Sequence, residues 1–137
     1  MLTKAQVRAI EDHARETYPE ECCGFLIGPA IDVRRIAETR RATNVVQENR
    51  QRRYVIDPRE TLAVEKSLAG TGHEILGFYH SHPNHPAIPS EFDRGQAWPW
   101  YSYVILSILD RKPVELGAWT LDGDTSTFGP DELQIQP

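Results

Sequence analysis

Apolar positions in the first seventeen residues recur at helical spacing. They lie three or four residues apart: Val7, Ile10 and Ala14. Thr3 and Gln6 fit a capping box, in which paired side chains satisfy backbone N–H groups of the first turn. Tyr18-Pro19 should end the helix, because a proline disfavours helical backbone in the residue before it. The pattern therefore predicts an amphipathic helix over residues 3–17.

A second helix and several strands follow from the same kind of pattern. Asp57 suits an N-cap and Pro58 the first helical position, so a helix is predicted from there to about Leu68. The apolar run CCGFLIG at residues 22–28 predicts a buried strand. Further β-rich runs, with a tight hairpin at Asp122-Gly123, predict strands at residues 33–39, 53–56, 73–80, 101–109, 114–121 and 125–128.

The order of these elements predicts the fold class. Helix, strands, helix, strand, short helix and strands together indicate one α/β domain with a mixed sheet. A chain of 137 residues fits a single domain. It is long enough to build a core without disulfide staples. We expect the domain to span residues 1–129, and the tail at 130–137 to fray.

Composition and charge exclude some classes of function. Apolar residues make up 39% of the chain, but no run approaches the roughly 20 residues of a membrane span. The polar N-terminus does not resemble a signal peptide, so we expect a cytoplasmic protein. The net charge of −5 argues against nucleic acid as a partner. Cys22 and Cys23 are adjacent, so we expect buried free thiols and neither a disulfide nor a second zinc site.

The basic residues are unevenly distributed along the chain. Seven of the fifteen are arginines of one segment: Arg34, Arg35, Arg40, Arg41, Arg50, Arg52 and Arg53. Two interpretations stay open. The arginines are solvated positions of strands and loops, or they form a landing surface for an acidic protein partner.

The stretch GFYHSHPNHPAIPSEFD, residues 77–93, suggests a metal site. His80 and His82 lie two apart at the end of a strand, where alternation sends both imidazoles to the same side. Ser90 suits the N-cap of a short helix, and that helix would bring Asp93 back towards the histidines. Two histidines, one aspartate and an open position are typical of a hydrolytic zinc site, although other divalent ions accept these ligands.

The same residues resemble a known family. The pattern H-S-H-P, six residues, then S-x-x-D is the signature of the JAMM (MPN-domain) metalloproteases. Residues 21–24, E-C-C-G, match the family's second element, a glutamate before a buried strand. Weaker similarity continues through Asn44 and the stretch RYVIDP at residues 53–58, so the resemblance covers most of residues 1–121.

The resemblance implies a fold and a role for each matching position. The fold would be a curved mixed sheet with flanking helices, related to the cytidine deaminases. His80, His82 and Asp93 would bind zinc, Glu21 would be the general acid/base, and Ser90 would stabilise the oxyanion. A true deaminase is disfavoured, because the H-x-E and P-C-x-x-C motifs are missing.

The resemblance also implies a class of substrate. The compact chain is most similar to bacterial members that hydrolyse a bond at the C-terminus of a ubiquitin-like sulfur carrier of the ThiS/MoaD type, which ends in Gly-Gly. Such a reaction would release cysteine or another residue and belong to sulfur or cysteine metabolism. The alternatives are a general isopeptidase, a non-catalytic MPN scaffold and a RadC-type domain. The sequence leaves homodimer formation open.

Other polar and aromatic residues have simpler interpretations. Glu20 is expected to be solvated, because the register of E-x-C-G favours Glu21. His85 falls outside the ligand pattern, and His13 and His73 are interpreted as surface or core histidines. Trp98 and Trp100 are mainly expected in the core, with the alternative that one of them forms the floor of a substrate groove.

Overall fold

The computed structural model describes residues 1–30 and 34–136. It contains three helices: α1 (Lys4–Thr17), α2 (Pro58–Leu68) and α3 (Glu91–Gln96). Its strands in chain order are β1 (Leu2–Thr3), β2 (Cys23–Pro29), β3 (Glu38–Ala42), β4 (His73–Pro83), β5 (Ser102–Leu109), β6 (Lys112–Asp122), β7 (Thr127–Asp131) and β8 (Ile135–Gln136).

Six of the strands form one mixed sheet, in the order β3-β2-β4-β5-β6-β7. Only β4 and β5 run parallel; every other neighbouring pair in this sheet is antiparallel. The parallel pair needs a long crossover, and residues 84–101, which include α3, provide it. The predicted single α/β domain with a mixed sheet is confirmed.

Both faces of the sheet are covered, each by one long helix. On one face Leu26 of β2 packs in a cluster with Ile10 and Ala14 of α1. On the other face Phe25 and Ile27 pack in a cluster that contains Val64 and Leu68 of α2. Because neighbouring residues of β2 point to opposite faces, the strand is apolar throughout instead of alternating with polar residues. This explains the run CCGFLIG.

The helix ends agree with the local signals. Thr3 caps α1, its side chain accepts a hydrogen bond from the N–H of Gln6, and the reciprocal bond completes the capping box. Asp57 caps α2, and Pro58 is its first residue. Ser90 caps α3. Within the described residues, no helix combines the length and apolar character that crossing a lipid bilayer requires.

Two predictions about strands need correction. Residues 34–37 are not in a strand; β3 lies later, at Glu38–Ala42, where its polar residues pair with β2 at the sheet edge. Val33 lies outside the described residues. Residues 53–56 form no strand but one bridge, between Ile56 and Asn44, because the side chain of Asn44 bonds to this segment in place of a second strand.

The tail does not fray, at least as far as residue 136. Residues up to Asp131 extend β7 along β6, and Ile135–Gln136 pairs in parallel with Leu2–Thr3 at the other end of the chain. The N–H of Leu2 also donates to the carbonyl of Gln134. Main-chain hydrogen bonds between the two termini therefore order a segment that is polar in sequence.

The arginine-rich segment makes several contacts inside the molecule. The Arg34 guanidinium donates to the Leu76 carbonyl and the Ser102 hydroxyl and lies 4.4 Å from the Trp100 ring centre. Arg40 pairs with Glu38, and Arg41 pairs with Glu16 of α1. Of these contacts, the one between Arg41 and Glu16 joins the edge strand β3 to α1, whereas Arg34 lies outside β3 and the Arg40–Glu38 pair lies within it. An acidic partner for this segment stays a prediction.

His13 is a core histidine that links α1 to the sheet. Its Nδ1 lies 2.7 Å from the hydroxyl of Tyr79, and both side chains are buried. The Tyr79 ring in turn lies across Gly24, where an added Cβ would come within 2.1 Å of it. Only glycine leaves room for the ring at this position of β2.

His13 should make the fold sensitive to acid. Burial, with a smaller contribution from Arg41, lowers the pKa of His13 from 6.5 to about 4. The unfolded chain binds this proton below about pH 6.5, while the folded chain resists it until about pH 4. Stability from neutral His13 is therefore present above pH 6.5 and is lost as the pH falls to 4.

The variant His13→Gln should remove this component of the acid destabilisation, as measured by urea unfolding across that pH range. The matched control is His73→Gln, because His73 is exposed; it should keep the wild-type pH dependence. A His13→Gln protein with the wild-type slope would contradict the prediction.

Candidate metal centre

Four ionisable side chains from three separate parts of the chain meet in one buried cluster. Glu21 precedes β2, His80 and His82 lie in β4, and Asp93 lies in α3. One potential ligand atom from each lies within 4.8 Å of all the others, and all four residues are buried. The sequence-predicted site residues are therefore brought together, including the glutamate from about sixty residues earlier in the chain.

Strand pairing explains how Glu21 reaches the histidines. β2 runs antiparallel to β4 with Cys23 opposite His80. Beyond the strand end, the N–H of Ser81 donates to the Cys22 carbonyl, and the N–H of Cys22 donates to the Ser81 hydroxyl. This register carries Glu21 alongside the pair His80 and His82, whose side chains share one face of β4 by two-residue alternation.

Three of the four side chains have the spacing of metal ligands. The two Nε2 atoms of His80 and His82 lie 3.1 Å apart. Oδ2 of Asp93 lies 3.2 Å from Nε2 of His80 and 3.0 Å from Nε2 of His82. A tetrahedral zinc with bonds of about 2.0–2.1 Å has neighbouring ligand atoms about 3.3 Å apart. The triangle therefore fits a small divalent cation.

The helix α3 and its cap place the carboxylate. The Ser90 hydroxyl accepts from the Asp93 N–H, and the Ser90 N–H donates to Asp93 Oδ2 at 2.9 Å. Burial by itself would raise the pKa of Asp93, but His80, His82 and the Ser90 N–H hold it below its ordinary value. Asp93 is therefore an ionised carboxylate in a fixed orientation.

The loop after β4 fixes the tautomer of His82. Its Nδ1 lies 2.8 Å from the carbonyl oxygen of Pro86. A carbonyl can only accept, so Nδ1 carries a proton, and Nε2 is the nitrogen that would bind a cation. This arrangement is the usual one for a histidine that binds a metal.

Glu21 occupies the fourth corner with its carboxyl group unsatisfied. Both of its carboxyl oxygens are buried without a hydrogen-bond partner in residues 1–30 and 34–136. Burial, and then repulsion from Asp93, raise the pKa of Glu21 to about 9. A cation in the cluster would offset both causes, because it attracts the ionised carboxylate and neutralises Asp93.

Asn44 fixes the backbone that carries Glu21. Its side-chain amide donates to the carbonyls of Glu21 and Arg53, and its side-chain oxygen accepts from the N–H groups of Val46 and Val55. The N–H of Glu21 donates to the carbonyl of Arg50. The loop at 44–55 is therefore closed around one asparagine and holds Glu21 from both sides of its peptide.

Two rings cover the histidines, and a cleft opens beside them. Tyr54 stacks on His80, and His85 stacks on His82. Tyr54 also lines a mainly apolar cleft of about 870 Å³ with Phe78, Tyr101, Tyr103 and other residues. Trp98 and Trp100 line it too and are 69% and 50% exposed. The expectation that the tryptophans lie mainly in the core is wrong.

Several interpretations of single residues agree with the structure. Glu20 is exposed, His73 is exposed and His13 is buried. Cys22 and Cys23 are buried free thiols. Sequence reasoning assigned no role to Asn44, Tyr54 or His85 at the site. Asn44 and Tyr54 stand in the weaker matching stretch, which was the available signal for them.

Fold and cluster together define a small α/β protein with a buried Glu/His/His/Asp group that could hold a metal ion. The model of the family described as prokaryotic homologs of the JAB domain matches residues 3–122. The chain belongs to this family of JAB/MPN proteins.

Named relatives and a solved structure agree with this family. A desampylase of Haloferax volcanii is 39% identical over 104 residues, which is 72% of this chain and 73% of the relative. The CysO-cysteine peptidase of Mycobacterium tuberculosis is 30% identical over 119 residues, 84% of this chain and 77% of the relative. The solution structure of a Desulfitobacterium hafniense protein superimposes with a TM-score of 0.85 at 33% identity, covering 98% of this chain and 91% of that one.

Removing the Asn44 side chain should destabilise the protein. Asn44→Ala deletes four hydrogen bonds to the backbone, each worth about 0.5–1.5 kcal/mol, and water replaces part of the loss. The free energy of unfolding should fall by about 1–3 kcal/mol. Gln47→Ala in the same loop is the control, because it deletes one exposed hydrogen bond and should change stability by less than about 0.5 kcal/mol. Denaturant unfolding that finds the two variants equally stable would contradict the central role of Asn44.

Proposed function

We propose that this protein is a zinc-dependent peptidase that hydrolyses a bond at the C-terminus of a ubiquitin-like protein. The observation that carries this proposal is the convergence of Glu21, His80, His82 and Asp93, with both Glu21 oxygens buried and without a hydrogen-bond partner in the part of the chain that the structure describes. A structural zinc site closes all four positions with ligands, whereas a catalytic site keeps one open. Here three ligands form a compact triangle, and the fourth group is a carboxylate suited to proton transfer.

His80, His82 and Asp93 would hold the ion. Zinc bound there supplies Lewis acidity, which activates water for attack and polarises the carbonyl of the scissile bond. The histidines contribute neutral ligands and Asp93 a single negative charge, so the occupied site keeps a net positive charge. That charge favours the anionic transition state of amide hydrolysis.

Glu21 would move the proton. Its carboxylate takes a proton from the attacking water and delivers it to the leaving amine, which balances the reaction without a covalent enzyme intermediate. The backbone clamp of Asn44 keeps the carboxyl group at its place.

Ser90 would stabilise the oxyanion that forms on the substrate carbonyl. Its hydroxyl accepts a hydrogen bond from the Asp93 N–H, so its own proton is available for donation. A single donor aimed at an oxyanion contributes about 3 kcal/mol to transition-state stabilisation. The capping role and the catalytic role are compatible, because they use different sides of the hydroxyl.

The proposed substrate is a sulfur carrier of the ThiS/MoaD type with a Gly-Gly tail, from which the enzyme releases cysteine or another residue. The relative named CysO-cysteine peptidase supports this choice over 84% of the chain. The apolar cleft beside Tyr54, bordered by Trp98 and Trp100, is the proposed approach for the tail. Glycines without side chains allow the scissile bond to reach a buried metal.

A second candidate is a general isopeptidase that removes ubiquitin-like proteins from lysine side chains. The desampylase relative, which is the more identical of the two curated relatives described above, favours it. The non-catalytic scaffold is less well supported, because such members usually lack ligands or the glutamate, and this chain has all of them.

Glu21→Gln should separate catalysis from metal binding. The amide cannot accept the proton, so the single-turnover rate should fall about 10²- to 10⁴-fold. Zinc content, measured by mass spectrometry of the metal, should stay at the wild-type level, whereas His80→Ala should lose the ion. Glu20→Gln is the matched control and should cleave normally. If Glu21→Gln keeps the wild-type rate, Glu21 is not the proton carrier.

A parallel assay of two conjugates should identify the leaving group. A carrier with cysteine on its C-terminal glycine and the same carrier linked to a lysine side chain are incubated with the enzyme, and intact masses are followed over time. We expect faster loss of cysteine from the first conjugate, with Asp93→Ala inactive on both. Faster cleavage of the lysine conjugate would favour the isopeptidase. Cleavage of neither by zinc-loaded protein would favour the scaffold.

A further inference from the structure

The two histidines of the metal centre differ in how their outer nitrogen is satisfied. Nδ1 of His82 donates to the Pro86 carbonyl at 2.8 Å. Nδ1 of His80 is buried and has no hydrogen-bond partner among the residues that the structure describes. A histidine that binds a metal normally donates this N–H to a polar group, and the bond sets the orientation of the ring. His80 therefore needs another source of orientation.

The ring of Tyr54 provides a contact that can supply it. The ring centres of Tyr54 and His80 are 4.4 Å apart, and the planes are inclined by 26°. The two residues are 8% and 1% exposed. Rotation of the His80 ring about its Cβ–Cγ bond would drive an edge of the imidazole into the phenol ring. The stacked neighbour therefore limits the rotation of His80 to a narrow range.

Tyr54 itself is held in place from two sides. It packs in the cluster between the sheet and α2, with Cys23 and Val64 among its members. On the backbone side, Asn44 bonds to the carbonyl of Arg53 and to the N–H of Val55, the residues that flank Tyr54. Because both packing and backbone hydrogen bonds hold the Tyr54 ring in place, this ring can restrict the orientation of the neighbouring His80 imidazole.

We infer that Tyr54 is the positioning residue of His80: its ring holds the imidazole in the orientation that binds the cation, a task for which Nδ1 of His80 has no hydrogen bond among the described residues. The inference rests on the proposed function, because it requires a metal at this centre. Stacking has a second effect. A metal draws positive charge onto the imidazole of His80, and the face of an aromatic ring stabilises such charge.

The stacking of His85 on His82 can be compared with the stacking of Tyr54 on His80. Its ring stacks on His82 with centres 4.1 Å apart and planes inclined by 20°. His82, however, also has the hydrogen bond to Pro86. Loss of the His85 ring leaves His82 oriented by that bond, whereas loss of the Tyr54 ring leaves His80 without either support. The two rings should therefore contribute unequally to metal binding.

The test measures zinc affinity by competition with a chromogenic chelator, for wild type, Tyr54→Leu, Tyr54→Phe and His85→Leu. Tyr54→Leu should bind zinc about 10- to 100-fold more weakly, the usual cost of losing a group that orients a ligand. Tyr54→Phe keeps the ring and should bind as wild type does. His85→Leu should lose less affinity than Tyr54→Leu.

Cobalt substitution adds a spectroscopic readout. The visible absorption of bound Co²⁺ reports the coordination geometry, so it should change in Tyr54→Leu and stay unchanged in Tyr54→Phe. Circular dichroism of the metal-free proteins checks that each variant is folded at the temperature of the titration. If Tyr54→Leu does not fold, Tyr54→Met, which fills more of the volume, replaces it with the same expectation.

The outcomes separate this inference from the proposed function. Wild-type protein that binds no stoichiometric zinc would overturn both. If wild type binds zinc and Tyr54→Leu matches it in affinity and cobalt spectrum, only the role of Tyr54 is wrong. A loss in Tyr54→Phe as large as in Tyr54→Leu would assign the effect to the hydroxyl and overturn the stacking mechanism. An equal loss in His85→Leu would overturn the comparison based on the hydrogen bond of His82.

Discussion

The antiparallel pairing of β2 with β4 is the constraint on which the site depends. Cys23 opposite His80 is what converts a separation of about sixty residues into contact between Glu21 and the histidine pair. A slip of this register by one residue would turn every β2 side chain to the other face of the sheet. The same slip would bring a side chain into the space that Tyr79 occupies over Gly24. The packing of Tyr79 on the sheet face covered by α1 therefore opposes a register slip that would disrupt the cluster on the face covered by α2.

Burial of the four polar side chains of the cluster costs the fold free energy. Two carboxyl groups and two imidazoles are buried together, and both oxygens of Glu21 lack hydrogen bonds within the described chain. The pKa of Glu21 is raised to about 9 because ionisation there is unfavourable. Stabilising hydrogen bonds surround the cluster: the capping box of α3, the His82–Pro86 bond and the four bonds of Asn44. A bound ion would stabilise the folded state by mass action, so metal binding and stability are coupled here.

Hydrogen bonds and aromatic stacking orient different residues of the site. Hydrogen bonds fix Asp93, His82 and the backbone of Glu21, whereas His80 has a stacked ring. The ring belongs to the same loop that Asn44 closes, so one loop positions both Glu21 and His80. Tyr54 also lines the cleft, whereas the four residues of the cluster are not among the residues that line it. The loop at residues 44–55 therefore contributes residues both to the cleft and to the surroundings of the candidate metal centre.

Features that depend on neighbouring residues could be predicted from the sequence alone. Helix α1 and helix α2 could be predicted to within a residue because capping by Thr3 and Asp57 is local, and the spacing of His80, His82, Ser90 and Asp93 indicated their common site. Features that depend on contacts with residues distant in the sequence became visible only in the tertiary structure. The edge strand lies at residues 38–42, because these are the residues that pair with β2, and residues 34–37 of the predicted strand are outside it. The tail is ordered by pairing with Leu2–Thr3. The stacking of Tyr54 on His80 and the four bonds of Asn44 likewise join segments that sequence patterns treat separately. Local signals describe which conformation a segment prefers, but contacts between segments depend on packing that no single segment contains.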